Sequence, residues 1–176
     1  MRALIVVDMQ NDFAAAGGTL ATKEAINIVH NVYELVNEFV ENGDAIYFTR
    51  DTHDEGYRWT QEGMKLPVEH CRYGTWGWQI VNGIDVKETP HNNVKHLNKN
   101  QFAYDAWEDE DLGQYDEIVV CGVVSSICCI SNCLVIKSIY PELPIKFAAY
   151  ASAGLTPENH KAAIEVMRSC QIEVIE

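Results

Sequence analysis

The sequence predicts an α/β fold: a single-domain, Rossmann-like three-layer sandwich over residues 1–176, with a mainly parallel sheet and helices on both faces. Short apolar segments alternate with amphipathic segments along the chain, a pattern typical of β-α-β units. Residues 4–7 (LIVV) are apolar at every position, as in a strand covered on both faces. No repeat, low-complexity tract or linker divides the 176 residues, a length typical of one domain.

The remaining elements follow this first strand in chain order. Apolar residues recur at helical spacing over residues 22–42, where Thr22 can cap the first turn and Gly43 ends the helix. Later apolar segments predict strands over residues 45–49, 94–97, 117–121, 145–149 and 172–175. Two more helices are predicted over residues 126–140 and 157–169, the second with Thr156 as its N-cap.

The segment 50–91 has little periodicity and is rich in glycine, histidine, tryptophan and charged residues. A loop of this length within a compact domain usually serves a function. Ligands of parallel sheets bind beyond the carboxyl ends of the strands, near the point where the strand order reverses. The candidate site residues are therefore those that follow strands, namely Asp8, residues 49–53, Lys99 and residues 122–128.

The composition excludes several classes of partner. The formal net charge is −13, so the chain repels phosphate backbones and anionic lipid, and we expect neither nucleic acid nor a membrane as partner. The apolar residues 3–7 are too few for a signal peptide or a membrane span. The six cysteines lack the spacing of a disulfide framework and are expected to be thiols in the cytoplasm.

Cys128 is the candidate nucleophile. Gly122 permits a tight exit from the preceding buried strand, and Ser125 or Ser126 can cap the helix whose first turn contains Cys128. The helix dipole and the unpaired amides of this turn favour a thiolate there. The amides of Cys128 and of Val124 can donate to an oxyanion.

Asp8 and Lys99 each follow a predicted strand. Considered alone, Asp8 is more simply a carboxylate that caps a loop, and Lys99 is more simply a solvated surface charge. Lys99 gains a chemical role only if it lies close to both Asp8 and a thiol.

Asp51, His53 and His70 form a candidate metal site. Asp51 and His53 are separated by one residue, so an extended segment turns both side chains the same way. Two histidines and a carboxylate can bind Zn²⁺, Mn²⁺ or Fe²⁺ with open coordination positions. The alternative is that Asp51 and His53 form hydrogen bonds that hold the loop closed.

The order of these segments resembles the isochorismatase-like cysteine hydrolases, and within them the nicotinamidase-related amidases. Five motifs carry the resemblance across nearly the whole chain: ALIVVDMQNDF (3–13), FTRDTH (48–53), HCRYGTWGW (70–78), NKNQFAYDAW (98–107) and VVCGVVSSICC (119–129). Each motif alone has modest specificity, but together they are highly specific.

The resemblance implies a catalytic triad of Asp8, Lys99 and Cys128. In such enzymes the cysteine attacks a primary amide, the aspartate transfers the proton, and the lysine balances the charges. It also implies a non-proline cis peptide between Val123 and Val124, which would direct the Val124 amide into an oxyanion hole with that of Cys128. Isochorismatases proper cleave a vinyl ether and lack the nucleophilic cysteine, which this chain keeps.

The chain departs from nicotinamidases at two places. Those with a metal use an aspartate and three histidines, and here the histidine expected within residues 54–59 is absent. The implied divalent metal (Zn²⁺, Mn²⁺ or Fe²⁺) is then either absent or weakly held with extra waters. The tryptophan that packs near the pyridine ring is also missing from residues 65–71. Phe13 and Tyr104 remain as aromatic candidates for substrate binding.

Three functional hypotheses follow. The first is an amidase that converts a small primary carboxamide, above all nicotinamide, into the acid and ammonia through a cysteine thioester. The second is a metal-independent amidase for another small amide or an N-carbamoyl substrate. The third is a non-catalytic binding module with the same fold. The resemblance also implies a homo-oligomer, either a dimer or a tetramer.

Overall fold

A computed structural model describes residues 1–89 and 92–176, and within these ranges six strands form one parallel sheet in the order β3-β2-β1-β4-β5-β6. The strands β1 to β6 span Ala3–Val7, Ala45–Asp51, Val94–Lys99, Ile118–Val123, Ile145–Ala153 and Glu173–Ile175. The helices α1 to α6 span Asn11–Ala14, Lys23–Asn27, Val29–Asn42, Gln61–Lys65, Ile130–Ile139 and Pro157–Ser169. The predicted α/β class with a parallel sheet is confirmed.

Helices cover both faces of the sheet, because side chains of a strand point alternately to its two faces. Ile5 and Val7 of β1 pack in the cluster that α5 and α6 cover, whereas Leu4 and Val6 pack in the cluster that α2 and α3 cover. All four side chains are fully buried, which explains why β1 is apolar at every position. No helix in the described ranges is both long and apolar enough to cross a membrane.

Three helix ends have the predicted chemistry. The side chains of Thr22 and Thr156 accept hydrogen bonds from main-chain N–H groups in the first turns of α2 and α6. Gly43 ends α3 in the left-handed conformation, with φ of 68°. The single helix predicted over 22–42 is wrong, because the chain leaves helical hydrogen bonding at Ile28 and forms α2 and α3 instead. The two helices keep similar apolar spacing, so periodicity does not reveal the break.

The long segment between β2 and β3 contains short helices. A 3₁₀ turn spans Tyr57–Trp59, and α4 follows it directly. Positions 90 and 91, at the end of the predicted loop, lie outside the described residues. This segment therefore has local structure that places side chains at the carboxyl end of the sheet.

The sheet order reverses between β1 and β4, and Gly122 makes the close contact there possible. Gly122 has a φ of 114°, and a Cβ at this position would lie 2.2 Å from the carbonyl oxygen of Val7. Only glycine fits such an approach without displacing the backbone. As a result, the chain after β1 and the turn after β4 lie next to each other.

Candidate active site

Asp8 lies directly after β1 and its side chain is completely buried. The carboxylate oxygen Oδ1 accepts a hydrogen bond of 2.6 Å from the hydroxyl of Thr49, and the N–H of Asp8 donates to the main-chain oxygen of Thr49. The backbone of Asp8 has a φ of 50°, a conformation that aspartate tolerates better than most residues. These contacts hold the carboxylate at the point where the strand order reverses.

Lys99 joins Asp8 to Cys128. It is the last residue of β3, and its Nζ lies 2.7 Å from Asp8 Oδ2 and 3.8 Å from Cys128 Sγ. The main-chain oxygen of Gln101 accepts a further hydrogen bond from this ammonium group. The lysine is therefore buried rather than a solvated surface charge, and the three predicted side chains meet in one place.

The charge state of this group follows from burial and neighbouring charges. Burial alone would lower the pKa of Lys99, but the negative charges of Asp8 and Asp51 and the hydrogen bond to Asp8 outweigh burial and raise that pKa, so the ammonium stays charged. Burial raises the pKa of Asp8 above its ordinary value, although Lys99 and Thr49 oppose this change. A carboxylate with a raised pKa is a stronger proton acceptor.

The Cys128 thiol is protonated at rest, contrary to the expectation of a thiolate from the helix position. Burial, together with the charges of Asp8 and Asp51, raises the pKa of Cys128 well above its ordinary value, and Lys99 only partly opposes this. The helix-terminus effect is too small to offset this burial. A thiol in this environment needs an adjacent base to lose its proton. The candidate is Asp8, because Lys99 Nζ contacts both Asp8 Oδ2 and Cys128 Sγ.

The turn that carries Cys128 has the predicted cis peptide between Val123 and Val124. The predicted serine cap is wrong: the irregular turn Ser125–Cys129 begins without a side-chain cap, and α5 continues from it. Ser125 is buried and its hydroxyl instead pairs with Nδ1 of His160 from α6 at 2.9 Å. The cap prediction used local sequence only, whereas packing against α6 determines the partner of Ser125.

The predicted metal-binding side chains also come together, and Glu62 joins them. One ligand atom from each of Asp51, His53, Glu62 and His70 lies within 4.8 Å of the other three. Asp51 Oδ2 is 2.8 Å from Nε2 of His53 and 3.2 Å from Nε2 of His70. Tyr57 packs against both imidazole rings, with centroid distances of 4.5 and 5.2 Å.

The chemistry of these donors suits a divalent cation. Nδ1 of His70 is 2.8 Å from the main-chain oxygen of Val68, so this nitrogen carries the proton that it donates. Burial lowers the pKa of His70, but the hydrogen bonds to Asp51 and to the Val68 carbonyl outweigh it and raise that pKa. When a cation replaces the proton of Nε2, the lone pair of this nitrogen lies 3.2 Å from Asp51 Oδ2 and 3.9 Å from Glu62 Oε1. Lone pairs that converge in this way are complementary to a cation such as Zn²⁺, Mn²⁺ or Fe²⁺.

Glu62 was missed because the missing ligand was sought as a histidine within residues 54–59. It lies in the first turn of α4, the short helix that Thr60 caps by accepting from Gly63 N–H. A carboxylate in the loop between His53 and His70 is the signal that could have found it, because carboxylate oxygens are ordinary ligands of these metals. Although the third histidine is absent, Glu62 brings the group to four candidate ligands.

Gln10 is a second residue that sequence reasoning missed. Its side-chain amide pairs with the main chain of Asp51, accepting from the N–H at 2.7 Å and donating to the carbonyl at 2.8 Å. The same amide group donates to the main-chain oxygen of Trp78. Gln10 therefore fixes the end of β2, where Asp51 faces both His53 and Lys99.

The two predicted pocket aromatics lie in different surroundings. Phe13 is partly buried, with its ring centroid 5.5 Å from that of His70. Tyr104 packs edge-on against the buried Trp107 at a centroid distance of 5.2 Å. Phe13 is therefore next to the candidate metal ligands, and Tyr104 belongs to the segment that follows Lys99.

Comparisons with known proteins identify the family of the chain. An isochorismatase domain model matches residues 2–176. The nicotinamidase of Saccharomyces cerevisiae is 29% identical over 170 residues, covering 73% of this chain and 77% of that protein. The crystal structure of a nicotinamidase/pyrazinamidase from Bacillus subtilis superposes with a TM-score of 0.88 at 27% identity, covering 99% of both chains. That of a pyrazinamidase from Pyrococcus horikoshii in complex with zinc superposes with a TM-score of 0.82 at 26% identity, covering 99% of this chain and 98% of that one.

Proposed function

Because the chain belongs to the isochorismatase domain family, we propose that it hydrolyses a small primary carboxamide, with nicotinamide as the preferred substrate. The amidohydrolase class is common to its nicotinamidase and pyrazinamidase relatives. The observation that carries the proposal is the buried contact of Lys99 Nζ with both Asp8 Oδ2 (2.7 Å) and Cys128 Sγ (3.8 Å). A thiol with an adjacent carboxylate base and a charge-balancing ammonium can carry out nucleophilic hydrolysis of an amide.

In the first half of the proposed reaction, Asp8 accepts the proton of the Cys128 thiol as sulfur attacks the amide carbon. The carbon–sulfur bond forms, and the carbonyl electrons move to oxygen. When the tetrahedral intermediate collapses, the carbon–nitrogen bond breaks and Asp8 donates its proton to the leaving nitrogen, which departs as ammonia. Lys99 stays charged and stabilises the negative charge as it moves between sulfur and carboxylate.

In the second half, water hydrolyses the thioester. Asp8 accepts a proton from the attacking water and returns it to the Cys128 sulfur as the carbon–sulfur bond breaks. The products are a carboxylic acid and the restored thiol, so the complete reaction consumes one amide and one water. We assign the oxyanion hole to the main-chain N–H groups of Val124, which follows the cis peptide, and of Cys128 itself.

We assign the pocket walls to Phe13 and Tyr104, and a divalent metal to Asp51, His53, Glu62 and His70. When bound, the metal would supply an open coordination position that can orient a nitrogen or oxygen atom of the substrate. Phe13 packs against His70, so an aromatic substrate ring held against Phe13 would lie beside the metal ligands. The contacts of all four ligand side chains favour this metal-bound form over the metal-independent alternative.

Ammonia release tests the activity. The purified protein is incubated with nicotinamide and with a panel of small amides and N-carbamoyl compounds, and ammonia is measured. We expect turnover of nicotinamide in the native protein and loss of at least about 10³-fold in Cys128→Ala and Asp8→Asn. Cys170→Ala, which alters a half-buried thiol outside the site, is the matched control. A protein with an intact thiol that releases no ammonia from any member of the panel would contradict the proposal.

Measured metal content tests the proposed metal site. We expect one equivalent of Zn²⁺, Mn²⁺ or Fe²⁺ after metal loading and dialysis. Glu62→Gln should weaken the affinity at least about tenfold, or about 1.4 kcal/mol. Glu55→Gln removes an almost fully exposed carboxylate of the same loop and should leave the affinity unchanged. Equal affinities in native protein and Glu62→Gln would remove Glu62 from the ligand set.

A further inference from the structure

Asn132 is a fully buried polar residue of α5 that neither the triad nor the metal group includes. It lies one helical turn after Cys128, and its Nδ2 donates to the main-chain oxygen of Cys128 at 2.8 Å. The same Nδ2 approaches the main-chain oxygen of Phe102 at 3.4 Å. The NH₂ group of Asn132 therefore contacts both the turn that carries Cys128 and the segment after β3.

The acceptor side of Asn132 contacts that same segment. Its Oδ1 accepts from the main-chain N–H of Tyr104 at 3.0 Å and from the indole N–H of Trp107 at 2.8 Å. The surroundings fix the orientation of the amide, because two N–H groups require the oxygen and two carbonyls require the NH₂. A buried side-chain amide with partners on both ends defines a position more narrowly than apolar packing does.

We propose that Asn132 is a positioning residue that holds the main chain of Tyr104 at a set distance from Cys128. The inference rests on the proposed function, in which Tyr104 forms one wall of the pocket above the thiol. Phe102 is about half exposed, so the buried contacts of this segment are those of Asn132 and Trp107. Asn132 therefore couples the pocket wall to the nucleophile through one side chain.

Two substitutions separate the donor role of Asn132 from its acceptor role. Asn132→Ser keeps a donor for the oxygen of Cys128, as Ser138 in the same helix donates to the oxygen of Leu134 four residues earlier, but loses the acceptor for Tyr104. Asn132→Asp keeps the acceptor oxygens for Tyr104 and Trp107 and loses the donor to Cys128. Ser138→Ala removes an exposed hydrogen bond of the same helix and is the matched control.

The readouts are KM and kcat for nicotinamide, and hydrogen exchange of the Tyr104 amide by NMR. In Asn132→Ser we expect KM to rise about tenfold with kcat within about threefold, and the Tyr104 amide to exchange at least about tenfold faster. In Asn132→Asp we expect KM and Tyr104 exchange within about twofold of native protein and a lower kcat. Ser138→Ala should match native protein in all three.

Unchanged KM and unchanged Tyr104 exchange in folded Asn132→Ser would overturn the proposal. If Asn132→Ser does not fold, Asn132→Asp decides: retained Tyr104 protection supports the proposal, and tenfold faster exchange contradicts it. Hydrogen exchange needs no substrate, so a native protein without amidase activity would refute the proposed function while the positioning of Tyr104 is still decided.

Discussion

Replacing Lys99 with methionine tests the buried ion pair. Methionine has a similar length and no charge, so the substitution leaves Asp8 without its ammonium partner at 2.7 Å and removes the positive charge 3.7 Å from Asp51. Both side chains of the Asp8–Lys99 pair are 0% exposed. Removing one member of a buried pair lowers the free energy of unfolding by about 3–5 kcal/mol.

The double-mutant cycle with Asp8→Asn isolates the pair. Asp8→Asn should lower the free energy of unfolding by less than Lys99→Met does, because Lys99 keeps Asp51 as a partner. The double variant should be more stable than the sum of the two effects predicts, with a coupling of about 2 kcal/mol. Urea unfolding of metal-free protein measures all four free energies. Additivity within about 0.5 kcal/mol would refute the direct pairing.

The pH dependence of Lys99→Met follows from the same charges. Burial raises the pKa of Asp8, and without Lys99 nothing of comparable size opposes the rise. A folded-state pKa above the unfolded value of about 3.9 means that the unfolded state releases its proton first as pH increases. The deficit of the variant relative to native protein should therefore shrink as the pH falls to about 4 and reach its full size above the folded-state pKa. A deficit independent of pH would contradict an ionised Asp8.

Two further predictions concern the fold around the site. Gly122→Ala should lower the free energy of unfolding by about 3 kcal/mol, because it combines a positive φ with a Cβ 2.2 Å from the oxygen of Val7. Gly43→Ala adds its Cβ in open space and should lower the free energy of unfolding by only about 1 kcal/mol. Equal shifts of the melting temperature in the two variants would exclude the close contact at Gly122. Thr156→Ala removes the acceptor for Asn159 N–H at the start of α6. It should lower the free energy of unfolding, measured in urea, by about 1 kcal/mol. An unchanged free energy of unfolding would mean that the cap is dispensable.

The amino-acid sequence determined the fold class and the location of the candidate site. Apolar strands that alternate with amphipathic helices have few arrangements other than a parallel sheet with two covered faces. Polar residues directly after such strands, at Asp8, Asp51 and Lys99, must then lie at one edge of the sheet. The motif order added Cys128 to this set, and the structure brings all of these side chains together.

Contacts between distant segments decided the rest. Glu62 joins Asp51 only because the segment after β2 folds back and brings α4 to the end of that strand. Ser125 meets His160 because α6 packs on the turn before α5. Hydrophobic periodicity and capping rules describe neighbours in sequence, so neither contact was predictable from them.

The protonation state of Cys128 also depended on tertiary structure. Its place in the first turn of a helix predicted a thiolate, because the helix dipole and free amides are local properties. The folded chain surrounds the sulfur with buried groups and two carboxylates, and desolvation raises the pKa of Cys128 by more than the local effects lower it. The sequence by itself thus pointed to Cys128 as the candidate nucleophile, and only the tertiary structure, by burying its surroundings and placing two carboxylates near it, decided that the thiolate is disfavoured there.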